Sequence, residues 1–388
     1  MRLPLTNFLL LLALGLALGF CSSCSSVTYD PGLDRLVEEA DESRLRDHVE
    51  RLVALGPRPA GNPEVQEATV KYLEKELASL GVQTTREVFA RSPNASVVMY
   101  AKDAEGKEIQ VPIEGTYFGA TIGQARVVHG FADKAGIRET LTGYSMVPGE
   151  ERSVEQVNLI ATIPGTDSPE RVLELSAHHD TVPGTVGAND NTSGVAVLLE
   201  VARLLQENPP PCTVRLCFFA AEEIGLRGAQ EHVRRMVASG EIDQVMGLIN
   251  LDTVGFYTER EGSQESPARI PFLVWPPREG NFLAIIGGHG SAELAHLLED
   301  AASVYAEDLP TYSLARLGGF LPDARRSDHA RYWDVEVPAI FLTDTAEFRS
   351  DHYHRPSDAS EHLDFHKLRL VTKAVAAAAW EAGQGDRL

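Results

Sequence analysis

Three apolar runs, residues 172–177 (VLELSA), 213–221 (TVRLCFFAA) and 245–251 (VMGLINL), alternate with stretches of helical spacing. That alternation limits the fold more than any other feature of the chain. Parallel strands need long crossovers, and crossover helices cover the sheet, so the pattern predicts a largely parallel sheet buried on both faces. Functional residues of such sheets gather where the strands end. The three runs end at His178-His179-Asp180, at Glu222-Glu223 and at Asp252. A fourth run, 337–343 (VPAIFLT), leads into a loop containing His352 and His354.

Between the first run and a helix predicted over 195–205, a Gly- and Pro-rich loop carries Asp180 and Asp190, and Asn191, Thr192 and Ser193 are placed to cap that helix. Imidazole and carboxylate are donors that zinc accepts. One H-x-D triplet is explained equally well by a polar pair in a core. The recurrence of such residues at successive strand ends is what indicates a site. Side chains of adjacent residues in an extended segment point apart, so one of Glu222 and Glu223 can face a metal while the other handles a proton.

A formal net charge of -21 over 388 residues argues against a nucleic-acid partner, since nothing offsets phosphate repulsion. Cys212 and Cys217 lie on one predicted strand, too far apart for a bridge within it, and are expected to be free buried thiols. Residues 1–24 combine Arg2, an apolar stretch at 8–20 and a small-residue exit, the pattern of a secretory signal. The cysteine that follows resembles that of a bacterial lipoprotein signal, with Cys24 after Ser23 favoured over Cys21 after Phe20. Export to the cell envelope is therefore expected, with membrane contact only through a lipid anchor. Residues 25–388 are expected to form one domain with a surface excursion at about 255–280. Within it, helical spacing predicts one helix over 33–55 and another over about 65–80. GPRPAG at 56–61 is read as a turn whose Arg58 pairs with an acid.

With these residues assembled, the chain from about Leu45 onward resembles the secreted co-catalytic di-zinc aminopeptidases, peptidase family twenty-eight of clan MH. The blocks that carry the resemblance are GPRPAG, AHHD (177–180), GANDNTSG (187–194), FFAAEE (218–223), NLDTVG (250–255), SDH (327–329) and YHRPSD (353–358). Each is modest alone, and together in this order they are specific. The resemblance implies an α/β three-layer sandwich with a mostly parallel, mixed central sheet and helices on both faces. It implies two Zn2+ per chain, one held by His178 and Asp252, the other by Glu223 and His354, with Asp190 bridging. Glu222 matches the general base, and Asp180 is expected to hydrogen-bond His178 and fix its tautomer. The peptide bond after the bridging aspartate, Asp190-Asn191 here, is expected to be cis.

The activity implied is hydrolysis of the N-terminal peptide bond of peptide substrates. Two zinc ions can lower the pKa of a shared water and polarise the scissile carbonyl, with Glu222 taking the proton and passing it to the leaving amine. Carboxypeptidases and dipeptidases on the same centre would need a cation for the substrate carboxylate, for which Arg349, Arg325 and Arg326 are placed. A glutaminyl cyclase would keep one zinc, and retention of His178 with Asp190 and Asp252 argues against it. A non-enzymatic relative would have lost ligands. Outside the ligand set, His179 reads as structural and His352 as exposed. Asp328 and His329 are either supports of the site or an ordinary loop pair. Tyr353 is either an oxyanion donor or packing, and Arg349 is expected to pair with a nearby acid.

Overall fold

The amino-terminal helical stretch is divided by one side chain. Asp41 accepts the N–H of Ser43 at 2.7 Å and starts a new helix, so the single helix expected over 33–55 is two, α1 (Pro31–Glu38) and α2 (Glu42–Val53). The computed structural model describes residues 27–91, 95–102, 108–112, 141–148, 153–266, 275–315 and 322–384. The leader and both of its cysteines lie outside the described residues. After α2 come α3 (Pro63–Ser79) and β1 (Gln83–Arg91), then a three-stranded antiparallel sheet of β2 (Ala95–Lys102), β3 (Glu108–Pro112) and β4 (Leu141–Pro148).

The alternating segment follows: β5 (Val154–Ile163), β6 (Ser168–His178), α4 (Gly194–Glu207), β7 (Cys212–Phe219), α5 (Arg227–Ser239) and β8 (Val245–Leu251). The chain then adds β9 (Leu283–Gly287), α6 (Ala292–Tyr305), β10 (Thr311–Leu314), the short α7 (His329–Trp333), β11 (Ala339–Thr343) and α8 (Phe365–Ala382). Eight of these strands form one sheet in the order β1-β5-β7-β6-β8-β11-β9-β10. Its centre, β7, β6, β8 and β11, is parallel, as the apolar runs predict. Antiparallel pairing enters at β1–β5, β5–β7 and β11–β9. The register sets His178 against Phe219, Ser176 against Asn250 and Leu251 against Leu342, so the central strands finish nearly level. One edge of the sheet therefore collects every loop that carries a predicted ligand.

Helices cover both faces. On one, α4 and α8 pack beside α2 and α6, and the fully buried alanines 376–379 of α8 let the backbones approach. On the other, α5 and α7 close over a second core built from Cys217, Phe219, Val233, Met236 and Leu248. Cys212 and Cys217 are free and buried, as expected. The second core encloses a buried carboxylate, Glu174, which receives hydrogen bonds from Arg215 at 2.9 Å and the Tyr332 hydroxyl at 2.6 Å. His232 lies between Glu174 (3.2 Å) and Glu87 (2.9 Å), so the acid is enclosed by donors.

The excursion expected at about 255–280 is tied down by Arg349. Its guanidinium donates to the Gln264 side chain at 2.9 Å and to the Phe256 carbonyl at 3.2 Å, and it lies 4.6 Å from the Phe282 ring centroid. Among the described residues no acid hydrogen-bonds it, contrary to the sequence expectation. Two carbonyl oxygens and an aromatic face hold this buried planar cation, and its second terminal nitrogen makes no hydrogen bond among the described residues.

Candidate metal centre

Five chain segments converge at the carboxyl edge of the sheet. His178 is the last residue of β6, Glu222 and Glu223 follow β7, and Asp252 follows β8. Asp190 lies in the irregular turn 188–193 that leads into α4, and the Asp190-Asn191 peptide is cis, as expected. His354 sits in the turn after β11 with φ 57°. The turn before Asp190 needs a glycine at 187. Its φ is +58°, and a Cβ there would lie 2.1 Å from the Asp190 carbonyl oxygen.

Asp190 presents one oxygen to each of two donor groups. Its Oδ1 is 3.2 Å from His178 Nε2, which is also 3.5 Å from Asp252 Oδ1. Its Oδ2 is 3.0 Å from His354 Nε2, which is 3.3 Å from Glu223 Oε2. Both groups, His178/Asp190/Asp252 and Asp190/Glu223/His354, are compact enough to hold an ion. Donors about 2.0–2.1 Å from one tetrahedral zinc lie roughly 3.3 Å from each other, which is the spacing found here. Two atoms support the same reading. His354 Nε2 and Glu223 Oε1 are buried and make no hydrogen bond among the described residues, although a carboxylate oxygen lies beside the ring nitrogen. Buried polar atoms without partners are rare in stable folds, and metal donors are one of their explanations. The residues present therefore fit a pair of zinc ions.

Electrostatics agree. Burial opposes charge on His354, but Glu223 and Asp190 outweigh it and push the ring up to about 10. His178 is held well above its ordinary value in the same way, with Glu222 and Asp252 overcoming burial. Burial, with Asp190 adding to it, pushes Glu223 up to about 7. Burial and the negative charge of Asp252 raise Glu222 well above the carboxylate range. Protons balance this crowd of acids, and a divalent cation supplies the same positive charge while displacing them.

The supports differ in part from those expected. His178 Nδ1 donates to the main-chain carbonyl of Asp180 at 3.1 Å, and the Asp180 carboxylate is farther away, at 3.6 Å. That carboxylate instead accepts the N–H groups of Glu222 (3.0 Å) and Glu223 (3.3 Å). Asp180 thus fixes the imidazole through its backbone and the two glutamates through its side chain. Among the described residues Arg58 pairs with no acid directly. Fully buried, it donates to the carbonyls of His179, Leu52 and Val186 and to the Thr192 hydroxyl, stitching together the loops around Asp190. His179 is buried against the Val157 carbonyl, as a structural histidine. His329 bonds the Ala324 carbonyl and stacks on Phe341, so it is packing, whereas neither oxygen of the wholly buried Asp328 has a hydrogen-bond partner among the described residues. His352, expected to be exposed, is half-buried because its ring stacks on His362.

Sequence reasoning missed Asp358 and Asp344. Asp358 accepts the N–H groups of Asn189 (2.8 Å) and Asp190 (3.1 Å), and Asp344 accepts from the Asn189 side chain and the Phe256 N–H, both at 2.8 Å. Both could have been suspected. Asp358 closes the YHRPSD block, and Asp344 follows β11 as Asp252 follows β8.

A pocket opens beside Asp252. Its walls include Phe282, Ile286, Leu314, Phe341 and Phe348, and Tyr353 and Arg326 also line it. The Tyr353 ring is stacked on His354 with centroids 3.9 Å apart.

The family model described as Peptidase family M28 matches residues 158–379, more than half of the chain. The chain belongs to peptidase family M28. Membership makes it a hydrolase, and its donor set is that of a metallo-exopeptidase. It is 34% identical over 227 residues to the uncharacterised protein YfbL of Escherichia coli, covering 56% of this chain and 68% of that one. A probable zinc metalloprotease of Leptosphaeria maculans is 31% identical over 252 residues, with 58% and 57% covered. Aminopeptidase YwaD of Bacillus subtilis is 27% identical over 219 residues, covering 56% of this chain but 42% of that one. Among solved structures, the zinc aminopeptidase BSAP from Bacillus subtilis superposes with a TM-score of 0.62 at 19% identity, covering 88% of this chain and 95% of that one. A glutaminyl cyclase from Fimbriiglobus ruber superposes with 0.58 at 16% identity, covering 93% and 99%. At such identities these structures share the fold, an α/β three-layer sandwich with a mixed sheet.

Proposed function

We propose that the chain is an aminopeptidase with two zinc ions that removes apolar N-terminal residues from peptides. The observation that carries the reading is Asp190, with one carboxylate oxygen facing each of two complete donor groups. His178 and Asp252 would hold one ion and Glu223 and His354 the other. Bound there, zinc supplies polarisation of the scissile carbonyl and acidification of water.

The remaining work falls to side chains. Glu222, beside this donor set with Oε2 3.9 Å from His178 Nε2, accepts the proton of the attacking water and delivers it to the leaving amine. The Tyr353 hydroxyl donates to the carbonyl oxygen as negative charge develops there. The apolar pocket receives the side chain of the N-terminal residue and keeps water from it.

A carboxypeptidase would need a cation for the substrate carboxylate. Arg349 is buried and does not line the pocket, and Arg326, the one arginine among the described pocket-lining residues, is paired with Glu347. We further propose that the protein is exported and anchored by lipid on Cys24.

The test is zinc content of the purified protein together with hydrolysis of aminoacyl-nitroanilides before and after chelation. About two zinc per chain is expected. Leucyl and phenylalanyl substrates should be cleaved faster than glutamyl ones, and Glu222→Gln should keep the metal and lose activity. One zinc per chain with cyclisation of N-terminal glutamine, and no amide cleavage, would transfer the assignment to a glutaminyl cyclase.

A further inference from the structure

Arg326 has no part in the donor set, yet it is buried at the wall of the pocket with its side chain 11% exposed. One terminal nitrogen donates to the Tyr353 hydroxyl at 3.4 Å, and the other is engaged by Glu347. The guanidinium carbon lies 5.9 Å from the Tyr353 ring centroid. Stacking on His354, with planes 18° from parallel, keeps the same ring beside the metal donors. A phenol oxygen accepts hydrogen bonds and has a single proton to give. Once Arg326 donates to that oxygen, the O–H bond must point away from Arg326. The planar fork explains the residue type, since its two ends reach different partners at once, which an ammonium group does less well.

We propose that Arg326, braced by Glu347, is a positioning residue that directs the Tyr353 hydroxyl proton toward the carbonyl oxygen of the bound peptide. The inference rests on the aminopeptidase reading and adds to it the device that orients its oxyanion donor. Arg326 acts through Tyr353 and does not touch the substrate carbonyl. Its loss therefore slows turnover and leaves ground-state binding nearly unchanged.

A double-mutant cycle on the zinc-loaded, full-length protein tests this with leucyl-nitroanilide. Tyr353→Phe is expected to lower kcat about 100-fold, the scale of losing one oxyanion donor. Arg326→Met should lower kcat about tenfold with KM changed less than about threefold, and should cost less than about twofold when added to Tyr353→Phe, because the group it acts through is gone. Glu347→Gln should lower kcat in the same direction by a smaller factor, again only while Tyr353 is present. Losses that multiply in the double mutants, or an effect of Arg326→Met on KM alone, overturn the inference while leaving the aminopeptidase reading intact. Should Arg326→Met melt early, Arg326→Lys and Glu347→Gln complete the cycle under the same criteria. A zinc-loaded wild type that cleaves no aminoacyl amide overturns both.

Discussion

Asp358 touches no expected metal donor atom, yet both its oxygens are spent on main-chain N–H groups of the turn that presents Asp190. Leaving two buried amides unpaired costs about 1–3 kcal/mol each, and losing such a support typically weakens metal binding by about 10–100-fold. Asp358→Ala should therefore bind zinc at least about tenfold more weakly in a competition titration, with Asp358→Asn intermediate because its amide oxygen still accepts one N–H. Equal affinity in the alanine variant would show that Arg58 and Gly187 suffice to hold the turn. At this scale the residues that gather in the two donor groups were legible in the sequence, and most of what supports them was not. His178, Glu223 and Asp252 are announced by the apolar runs that stop at them. Position marks Asp358 and Asp344 as candidates, but no spacing says which N–H groups of distant loops they and the carboxylate of Asp180 would hold. Arg58 and Arg349 mislead for a related reason. A buried arginine in an acid-rich chain suggests an acid partner, whereas the hydrogen bonds Arg349 makes and most of those Arg58 makes go to carbonyl oxygens.

At the scale of elements, strands and long helices follow their apolar pattern closely, β8 residue for residue, because burial on both faces leaves little freedom in where a run ends. Breaks within amphipathic helices are harder to see, since the α1–α2 boundary depends on one capping aspartate amid unbroken periodicity. The contact of α2 with α3 carries a pH-dependent term. His48 Nδ1 is 2.7 Å from the Tyr72 hydroxyl, and burial lowers the ring to about 4. A histidine near 6.5 in the unfolded chain and about 4 in the fold binds a proton more readily when unfolded. Its contribution is complete above pH 6.5 and is lost as pH falls towards 4, about 3 kcal/mol over that window. Urea unfolding of wild type and His48→Gln between pH 4 and 7 should thus show curves that converge toward acid, with the variant less dependent on pH. Parallel curves would mean that the ring carries its proton in the fold.

Over the whole molecule, the parallel centre of the sheet was legible, and its antiparallel flanks were not. Crossover helices mark parallel neighbours in the sequence, while the pairing of β11 with β9 joins strands separated by α6, β10 and α7. The consequence of the topology is that β6, β7, β8, β11 and the turn before α4 each contribute a donor at one edge, so ions bound there would cross-link segments from residue 178 to residue 354. A ligand that binds only the folded chain stabilises it by RT ln(1 + [L]/Kd), about 4 kcal/mol at a thousandfold excess over Kd. Thermal unfolding should therefore move upward with added zinc and downward with chelator, and the shift should saturate at the zinc content of the protein. Glu222→Gln should retain the shift, since Glu222 belongs to neither of the two groups that share Asp190, whereas Asp190→Ala should lose most of it by depriving both groups of their common donor. A shift that survives in Asp190→Ala would place the stabilising ion elsewhere in the fold, and would remove the bridge on which the two-zinc reading depends.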